Sequence, residues 1–287
     1  MHWSKCQLGK LGRSLMALAM VGALSPSPNA MADDALPKLA YRLGVFPYLP
    51  ALTIDRLYGP IAEAFSLELD RLVRLRTKST FENFADAIAE QSYDILYVHP
   101  FFFVDAVDRH DYSPLARLDR PLRAVLVAAE DTKPVGIEDL MGATIGLPPK
   151  LAAVSQLIKS ALVDAGVRPG LDIGIRHYRN KASCLQAVRS GAIAACGVPA
   201  FILSEVKAFS TPPLRIIFEA PPVNHFAFAV HNRVSKEERE RLKELLLGWN
   251  RGPDADGPES QTYVPIAADD YGNIRDKKSR LQTLAQR

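Results

Sequence analysis

Short apolar segments alternate with segments of helical periodicity along most of this chain, and that alternation limits its possible folds more than any other feature. The apolar run Tyr93–Val98 is typical of a strand. Before it, Thr80–Glu90 places Phe81, Phe84 and Ile88 on one face of a helix. Strands separated by helices of about 10–15 residues predict βαβ units, so we expect an α/β protein with mainly parallel sheets.

The same patterns predict the order of the elements. We expect strands over Tyr41–Phe46, Arg71–Arg76, Tyr93–Val98, Leu122–Ala129, Ala143–Leu147, Ile173–His177, Ile193–Val198, Leu214–Phe218 and Phe226–Val230. We expect helices over Ile54–Phe65, Thr80–Glu90, Ala152–Ala165, Ala182–Ser190, Ala200–Phe209 and Lys236–Trp249, and one that opens at His99-Pro100. Gly252–Pro258 predicts a loop, and Arg275–Arg287 predicts a polar, weakly basic tail of low order.

The N-terminal segment, residues 1–32, has the pattern of a secretory signal peptide. Three basic residues precede the apolar run Leu15–Leu24, and prolines and a small-x-small site ending at Ala32 follow it. An apolar run of this length is too short to span a bilayer, which needs about 20 residues. A buried N-terminal helix is the alternative. Cys6 precedes the apolar run, so we expect a soluble periplasmic protein that is not a lipoprotein.

The charge balance of the mature chain argues against nucleic acid as a partner. Cleavage after Ala32 leaves 287 − 32 = 255 residues and removes three of the 35 basic residues, so 32 basic residues balance 32 acidic ones. Proteins that bind nucleic acid usually carry a basic face. The hydrophobic content of 48% is sufficient for a large folded core.

Two cysteines remain in the mature chain, Cys184 and Cys196. An even pair in an exported protein indicates a disulfide. Cys184 begins an expected helix and Cys196 ends the next strand, and an αβ unit brings those two ends together. A pair of buried thiols is the alternative.

The common catalytic signatures are absent from the sequence, including the Walker A, G-x-S-x-G and H-E-x-x-H motifs. The mature histidines lack the close spacing of metal ligands: His99, His110, His177, His225 and His231. We therefore expect no metal, no cofactor and no enzymatic activity. An enzyme on the same fold remains an alternative.

Several segments, taken in order, resemble the periplasmic phosphate-, phosphite- and phosphonate-binding proteins of ABC transporters, which are type II periplasmic binding proteins. The similar segments are Leu43–Pro50, Asn83–Ile88, Tyr93–Pro100, Gly136–Gly146, Ala187–Ala195 and Pro221–His225. The similarity runs from about Leu43 to Trp249, and its specificity comes from the order and spacing of the segments.

This resemblance implies two α/β lobes joined by two crossover segments, with a small-molecule ligand between the lobes. We place the crossovers near Asp119–Arg123 and Pro221–His225. Lobe one would then comprise residues 33–121 plus 225–287, and lobe two residues 122–224. The implied partner is the permease of an inner-membrane transporter or a membrane receptor, and the implied state is a monomer.

The expected ligand site departs from the family pattern. The hydroxyl-rich turn that holds a phosphonate in the family falls on Leu151–Val154, where no hydroxyl remains, and Pro148-Pro149 removes two backbone donors. Lys181 stands where family members often have a histidine, and Phe201 follows a strand after which the family has acidic or polar residues. We therefore expect weak binding of phosphate, phosphite and simple alkylphosphonates.

An apolar or amphiphilic ligand, such as a lipid or a sterol-like molecule, is the primary interpretation of these changes. The candidate ligand-binding residues are Tyr48, Tyr97, His99, Phe101, Phe102, Lys150, Leu151, Lys181, Phe201 and Asn224. One alternative retains an oxyanion ligand bound through Lys150 or Lys181. Another is a periplasmic sensing subunit for a membrane receptor.

Overall fold

The computed structural model describes residues 39–132, 134–202, 213–251 and 261–285. The expected signal peptide at residues 1–32, the loop Gly252–Pro258 and most of the helix expected over Ala200–Phe209 lie outside the described residues. None of the described helices is long and apolar enough to span a bilayer.

Most of the described strands and helices follow the alternation that the sequence predicts, whereas the strands over Tyr112–Leu118 and Gln261–Pro265 and the helix over Gly272–Ala285 were not predicted. The strands are β1 (Tyr41–Val45), β2 (Val73–Arg76), β3 (Ile95–Val98), β4 (Tyr112–Leu118), β5 (Pro121–Leu122), β6 (Ala124–Ala129), β7 (Thr144–Leu147), β8 (Gly174–His177), β9 (Ala195–Pro199), β10 (Leu214–Glu219), β11 (Val223–Asn224), β12 (Ala227–His231), β13 (Asn250–Arg251) and β14 (Gln261–Pro265). The α-helices are α1 (Ala51–Leu69), α2 (Phe81–Ala89), α3 (Pro100–Arg109), α4 (Ala153–Asp164), α5 (Lys181–Arg189), α6 (Lys236–Leu247) and α7 (Gly272–Ala285).

The strands form two larger sheets, one in each lobe. The first has the order β13-β14-β4-β12-β3-β1-β2, and the second has the order β10-β6-β9-β7-β8. In the first sheet, β1 pairs in parallel with β2 and β3. In the second, β7 pairs in parallel with β8 and β9. The parallel strands end at one edge of each sheet, where open α/β sheets usually bind ligands.

The expected α/β class with two lobes is confirmed, but the sheets are mixed rather than mainly parallel. Strand β12 is antiparallel to β3 and β4, and β6 is antiparallel to β9 and β10. Each of these two strands begins just after a crossover segment. Such a strand enters its sheet at the edge where the parallel strands end, so it must run in the opposite direction.

The two crossover segments contain the short strands β5 and β11, which pair with each other. The pairing is antiparallel, with Leu122 opposite Val223 and Pro121 opposite Asn224. Two extended segments that lie side by side can twist together without breaking a helix or a sheet. This two-stranded element is therefore a suitable hinge between the lobes.

Local capping explains why two helices begin at the edge where the parallel strands end. The Thr80 hydroxyl accepts a hydrogen bond from the Asn83 N–H at 3.1 Å and caps α2. The imidazole Nδ1 of His99 accepts one from the Phe102 N–H at 3.3 Å and caps α3. Pro100 occupies the first position of α3, where a missing N–H has no cost.

The expectation of a disordered C-terminal tail is wrong, because α7 covers Gly272–Ala285. The side chains of Tyr271, Ile274 and Lys277 are buried, so one face of the helix contributes to the core. The sequence analysis interpreted Arg275–Arg287 as a polar tail. It therefore missed an amphipathic pattern in which a lysine occupies a buried position.

The disulfide between Cys184 of α5 and Cys196 of β9 is present, as the sequence predicts. Its two Cα atoms are 5.9 Å apart. Both residues are buried in a smaller apolar cluster on the α5 side of the second sheet, together with Val125, Val127 and Val198. The disulfide therefore fixes α5 to the sheet on the face opposite α4.

Candidate functional site

A cavity of about 490 Å³ lies where the crossover segments meet the second sheet. We call it the hinge cavity, and its volume is within the usual range for small-molecule sites. Its polar wall consists of Arg120, Arg123, Glu219 and His225, and its apolar wall consists of Pro121, Leu122, Ala200, Phe201 and Ile216. The lining residues come from the crossover segments and from the second lobe, so the cavity lies beside the hinge.

The two arginines of the polar wall have different surroundings. The Arg123 guanidinium forms an ion pair with Glu219 at 2.6 Å, so these two charges largely cancel. Arg120 is half-buried and lies close to the phenols of Tyr48, Tyr58, Tyr97 and Tyr263. Burial lowers the pKa of Arg120, but a guanidinium remains charged in proteins.

The phenols beside Arg120 remain neutral. Burial raises the pKa of all four, and that of Tyr97 reaches about 12. The hydroxyls of Tyr48 and Tyr58 hydrogen-bond to each other at 2.7 Å. None of the four supplies a negative charge at neutral pH, so on this side Arg120 is bordered by neutral phenols.

His225 provides a neutral hydrogen-bonding group in the same wall. Its side chain is 2% exposed, and its Nδ1 has no hydrogen-bond partner among the residues that the structure describes. Burial, and then the charge of Arg120, lower its pKa well below the ordinary value. A neutral imidazole can donate one hydrogen bond and accept another. The polar wall therefore combines the Arg120 cation with a neutral imidazole that can donate or accept a hydrogen bond.

The apolar lining of the cavity comes mainly from the second lobe. Leu122 of β5 is almost fully buried, whereas Ile216 of β10 is 45% exposed. Ala200 and Phe201 follow β9 and are half-buried. Apolar ligand surface against this wall would gain about 25 cal/mol per Å² removed from water.

Of the residues that the sequence analysis selected, Phe201 is the one that lines the hinge cavity. Asn224 lies beside it in β11, and its side-chain amide donates a hydrogen bond to the Asp270 carbonyl at 2.7 Å. Tyr48 is half-buried and stacks on Phe46, with ring centroids 4.6 Å apart. These two side chains lie near the cavity wall without forming it.

Three of the selected aromatic residues lie in the core of the first lobe. Tyr97, Phe101 and Phe102 are 5% exposed or less and do not line the hinge cavity. Phe102 stacks on His99, with centroids 4.1 Å apart, and Tyr97 packs on Phe228 at 4.6 Å. Sequence pattern alone does not separate these buried rings from rings that line a cavity.

His99 is buried and lies next to the second lobe. It is fully inaccessible, and burial is the main reason that its pKa falls to about 3. The Leu151 backbone of the second lobe is close enough to oppose this shift partly. His99 is therefore neutral at physiological pH and lies where α3 of the first lobe approaches the segment before α4.

The selected residues of the second lobe lie around the beginnings of two helices. Lys150 and Lys181 are exposed, whereas Leu151 is half-buried and its carbonyl accepts a hydrogen bond from Gln156 at 2.9 Å. Helix α4 begins after Ala152 without a side-chain cap. Its first N–H groups and the positive end of its dipole favour an anion.

Sequence reasoning missed Arg120, Leu122 and His225 as candidate site residues. All three lie in the crossover segments that the sequence analysis had placed near Asp119–Arg123 and Pro221–His225. The hinge position was therefore the signal that could have identified them. Among the described residues, no group of three or more His, Cys, Asp or Glu side chains could hold a metal ion.

Comparison with known proteins gives a family match over most of the chain. Residues 43–271 match the family described as "ABC transporter, phosphonate, periplasmic substrate-binding protein". No curated protein matches the sequence significantly.

Solved structures of similar fold come from several bacteria. PhnD1 from Prochlorococcus marinus in complex with methylphosphonate is 14% identical, with a TM-score of 0.71 over 85% of this chain and 98% of that one. A Xanthomonas citri protein bound to ATP is 12% identical, with a TM-score of 0.72 over 86% and 98%. A binding protein component of an ABC phosphonate transporter from Pseudomonas aeruginosa is 14% identical, with a TM-score of 0.69 over 86% and 87%. At such low identities the likeness shows the fold alone.

Proposed function

We propose that this chain, which belongs to the periplasmic substrate-binding proteins of ABC phosphonate transporters, binds a small organic oxyanion with an apolar substituent in its hinge cavity. Proteins of this family bind a small molecule and deliver it to a membrane permease, and they are transport components rather than enzymes. The observation that carries the proposal is that Arg120 and His225 line the same cavity as apolar residues such as Phe201.

The polar wall favours an anionic group on the ligand. The planar guanidinium of Arg120 can donate two parallel hydrogen bonds to a phosphonate or carboxylate. The neutral imidazole of His225 can then donate to a further oxygen, or accept from a protonated one. The names of two relatives with this fold contain methylphosphonate and ATP, and both of those ligands carry phosphorus oxyanions.

The polar wall also argues against a wholly apolar ligand, such as the lipid or sterol considered from the sequence. Such a ligand would remove Arg120 and His225 from water without replacing their hydrogen bonds. Covering polar groups with apolar surface is unfavourable when no new hydrogen bonds are formed. The ligand we propose combines the two sequence interpretations, since it has an oxyanion and an apolar part.

The apolar wall should make the substituent important for affinity. A phenyl group buries on the order of 100 Å² more than a methyl group, which corresponds to about 2.5 kcal/mol of transfer free energy. Only part of such a gain appears as affinity. We therefore expect phenylphosphonate to bind about ten-fold more tightly than methylphosphonate, and inorganic phosphate to bind more weakly than either.

Calorimetry with these three probes and with benzyl alcohol tests the proposal. We expect Arg120→Gln to reduce the affinity for phenylphosphonate by about 10- to 100-fold, because it removes a hydrogen bond between charged groups. Arg74→Gln is the matched control, since Arg74 is exposed on β2 in the other lobe. Equal binding of benzyl alcohol and phenylphosphonate, or an unchanged affinity in Arg120→Gln, would contradict the proposal.

A second test concerns the apolar wall. We expect Phe201→Asp to abolish phenylphosphonate binding while the melting temperature changes little, because a carboxylate in the open, empty cavity stays hydrated. Phe201→Leu is the control and should retain binding. Thermal melting and calorimetry on the same samples check both parts. A large fall in melting temperature for Phe201→Asp would contradict this prediction and would show that the Phe201 ring is part of the structural core of the second lobe.

The oligomeric state, the permease partner and the export of the protein are also proposed here. We propose that the protein works as a periplasmic monomer that presents its closed form to an inner-membrane permease. The signal peptide proposed for residues 1–32 would export it. The sensing role considered in the sequence analysis stays a prediction.

A further inference from the structure

We propose that the C-terminal segment Asp270–Ala285, here called the strap, holds the two lobes closed by binding the hinge and both lobes at once. The strap comprises the end of the loop after β14 and the helix α7. Helix α7 packs against α3 of the first lobe and α4 of the second. Lobe closure by the strap does not depend on the identity of the ligand.

The strap begins with two hydrogen bonds to a crossover segment. The Asn224 side chain donates to the Asp270 carbonyl at 2.7 Å, and the Tyr271 hydroxyl donates to the His225 carbonyl at 2.7 Å. Both partners belong to the second crossover. The first residues of the strap are therefore fixed to the hinge.

The next contacts fix the strap to the first lobe. The Tyr271 ring packs on Phe103 of α3, with centroids 4.5 Å apart. The Arg275 guanidinium forms a bidentate pair with Asp108 at 2.6 and 2.8 Å. Lys278 pairs with Asp105. These residues are three or four positions apart, so they lie on one face of the strap, the face that contacts α3.

The last contacts reach the second lobe. Arg280 pairs with Asp164 at 2.8 Å, and the Lys277 ammonium lies 3.7 Å from the other oxygen of the same carboxylate. Lys277 is only 6% exposed, and Asp164 is the ion-pair partner that the structure assigns to it. A buried ammonium requires such a partner. Its partner is on the opposite lobe, so lobe separation would leave this charge unpaired.

The position of Asp164 supports the same conclusion. It is the last residue of α4, where a negative charge is unfavourable because of the helix dipole. The two cations of α7 compensate for that placement. Within the second lobe Asp164 is therefore in an unfavourable position, and contact with the strap removes the disadvantage.

Hinge opening must break one end of the strap. Opening moves α4 away from α3, and the rigid helix α7 can follow only one of them. The exposed pair Arg280–Asp164 is weak enough to break and re-form, and salt screens it. The strap therefore sets the proportion of closed molecules. Any effect on ligand affinity rests on the proposed function of the hinge cavity.

Distance measurement by pulsed electron resonance on the ligand-free protein tests the strap. Nitroxide labels at Leu67→Cys and Leu171→Cys lie on exposed positions of different lobes, and the two cysteines that follow the expected signal peptide, Cys184 and Cys196, are joined to each other. We expect Asp164→Asn to increase the population at longer distances at least three-fold. Glu68→Gln is the control, since it removes the Glu68–Arg241 pair of 2.9 Å within the first lobe.

A second variant releases the other end of the strap. We expect Asp105→Asn combined with Asp108→Asn to produce the same shift as Asp164→Asn, because a strap needs both attachments. A distance distribution that is unchanged in either variant, or equally shifted in Glu68→Gln, would overturn the inference. No ligand is present in this experiment, so its failure is distinguishable from a failure of the proposed function.

Discussion

Acidification from pH 6.5 to pH 4.5 is expected to lower the free energy of unfolding by about 4 kcal/mol, chiefly through His99 and His225. Burial lowers the pKa of His99 to about 3 and that of His225 well below its ordinary value. In the unfolded chain both histidines titrate near pH 6.5. Between these values the unfolded state binds protons that the native state excludes, so stability falls as the pH falls.

The magnitude follows from the number of histidines. Each one reduces the free energy of unfolding by about 1.4 kcal/mol per pH unit once the pH is well below 6.5. Lys278 near His99 and Arg120 near His225 lower the two pKa values further, in the same direction as burial. Urea denaturation at a series of pH values measures the effect.

His99→Asn separates the titration from the structural role of His99. Asparagine is a good N-cap, so it can replace the imidazole as the acceptor for the Phe102 N–H at the start of α3. The variant should show about half the loss of stability between pH 6.5 and pH 4.5. A wild-type stability that is equal at the two pH values would contradict the prediction. So would an undiminished pH dependence in the variant.

Removal of the Cys184–Cys196 disulfide is expected to lower the free energy of unfolding by about 3 kcal/mol. The two cysteines are 12 residues apart, and a closed loop of about that length gives this value in the chain-entropy model. The Cys184 Sγ lies close to Gly146, since a Cβ placed on that glycine would be 2.6 Å from the sulfur. A side chain larger than cysteine at position 184 would therefore collide with Gly146, and alanine is the better replacement.

Denaturation of Cys184→Ala combined with Cys196→Ala, with and without dithiothreitol, measures this contribution. The reductant should lower the midpoint of the wild type and leave that of the variant unchanged. The second lobe should lose most of the stability, since both cysteines pack in its smaller apolar cluster. A wild-type midpoint that is insensitive to dithiothreitol under denaturing conditions would contradict the prediction.

Local sequence was sufficient to predict most helices, because their causes are local. Thr80 and His99 cap α2 and α3 within a few residues of their own positions, and the predicted bounds differ from the observed ones by a few residues. Local sequence could not predict the direction of β6 and β12, because that direction depends on which lobe the chain has just left. The crossover segments were located from the sequence, but the antiparallel direction of the strands that follow them was not predicted.

The candidate site was less predictable than the fold, because its walls come from distant parts of the chain. Arg120, Phe201 and His225 have no common local pattern, and the hinge brings them to one cavity. Phe101 and Phe201 looked equivalent in the sequence, but α3 buries the first in the core and the second follows β9 at the cavity.

The sequence by itself determined the alternation of strands and helices, the cysteine pair and the resemblance to the phosphonate-binding family. Each of these depends on side chains close together in the chain or on motifs in a fixed order. The tertiary structure alone decided that Lys277 is a buried residue and that the strap spans both lobes. The reason is physical: a lysine is stable in the interior only beside its counter-charge, and Asp164 is brought there by another lobe.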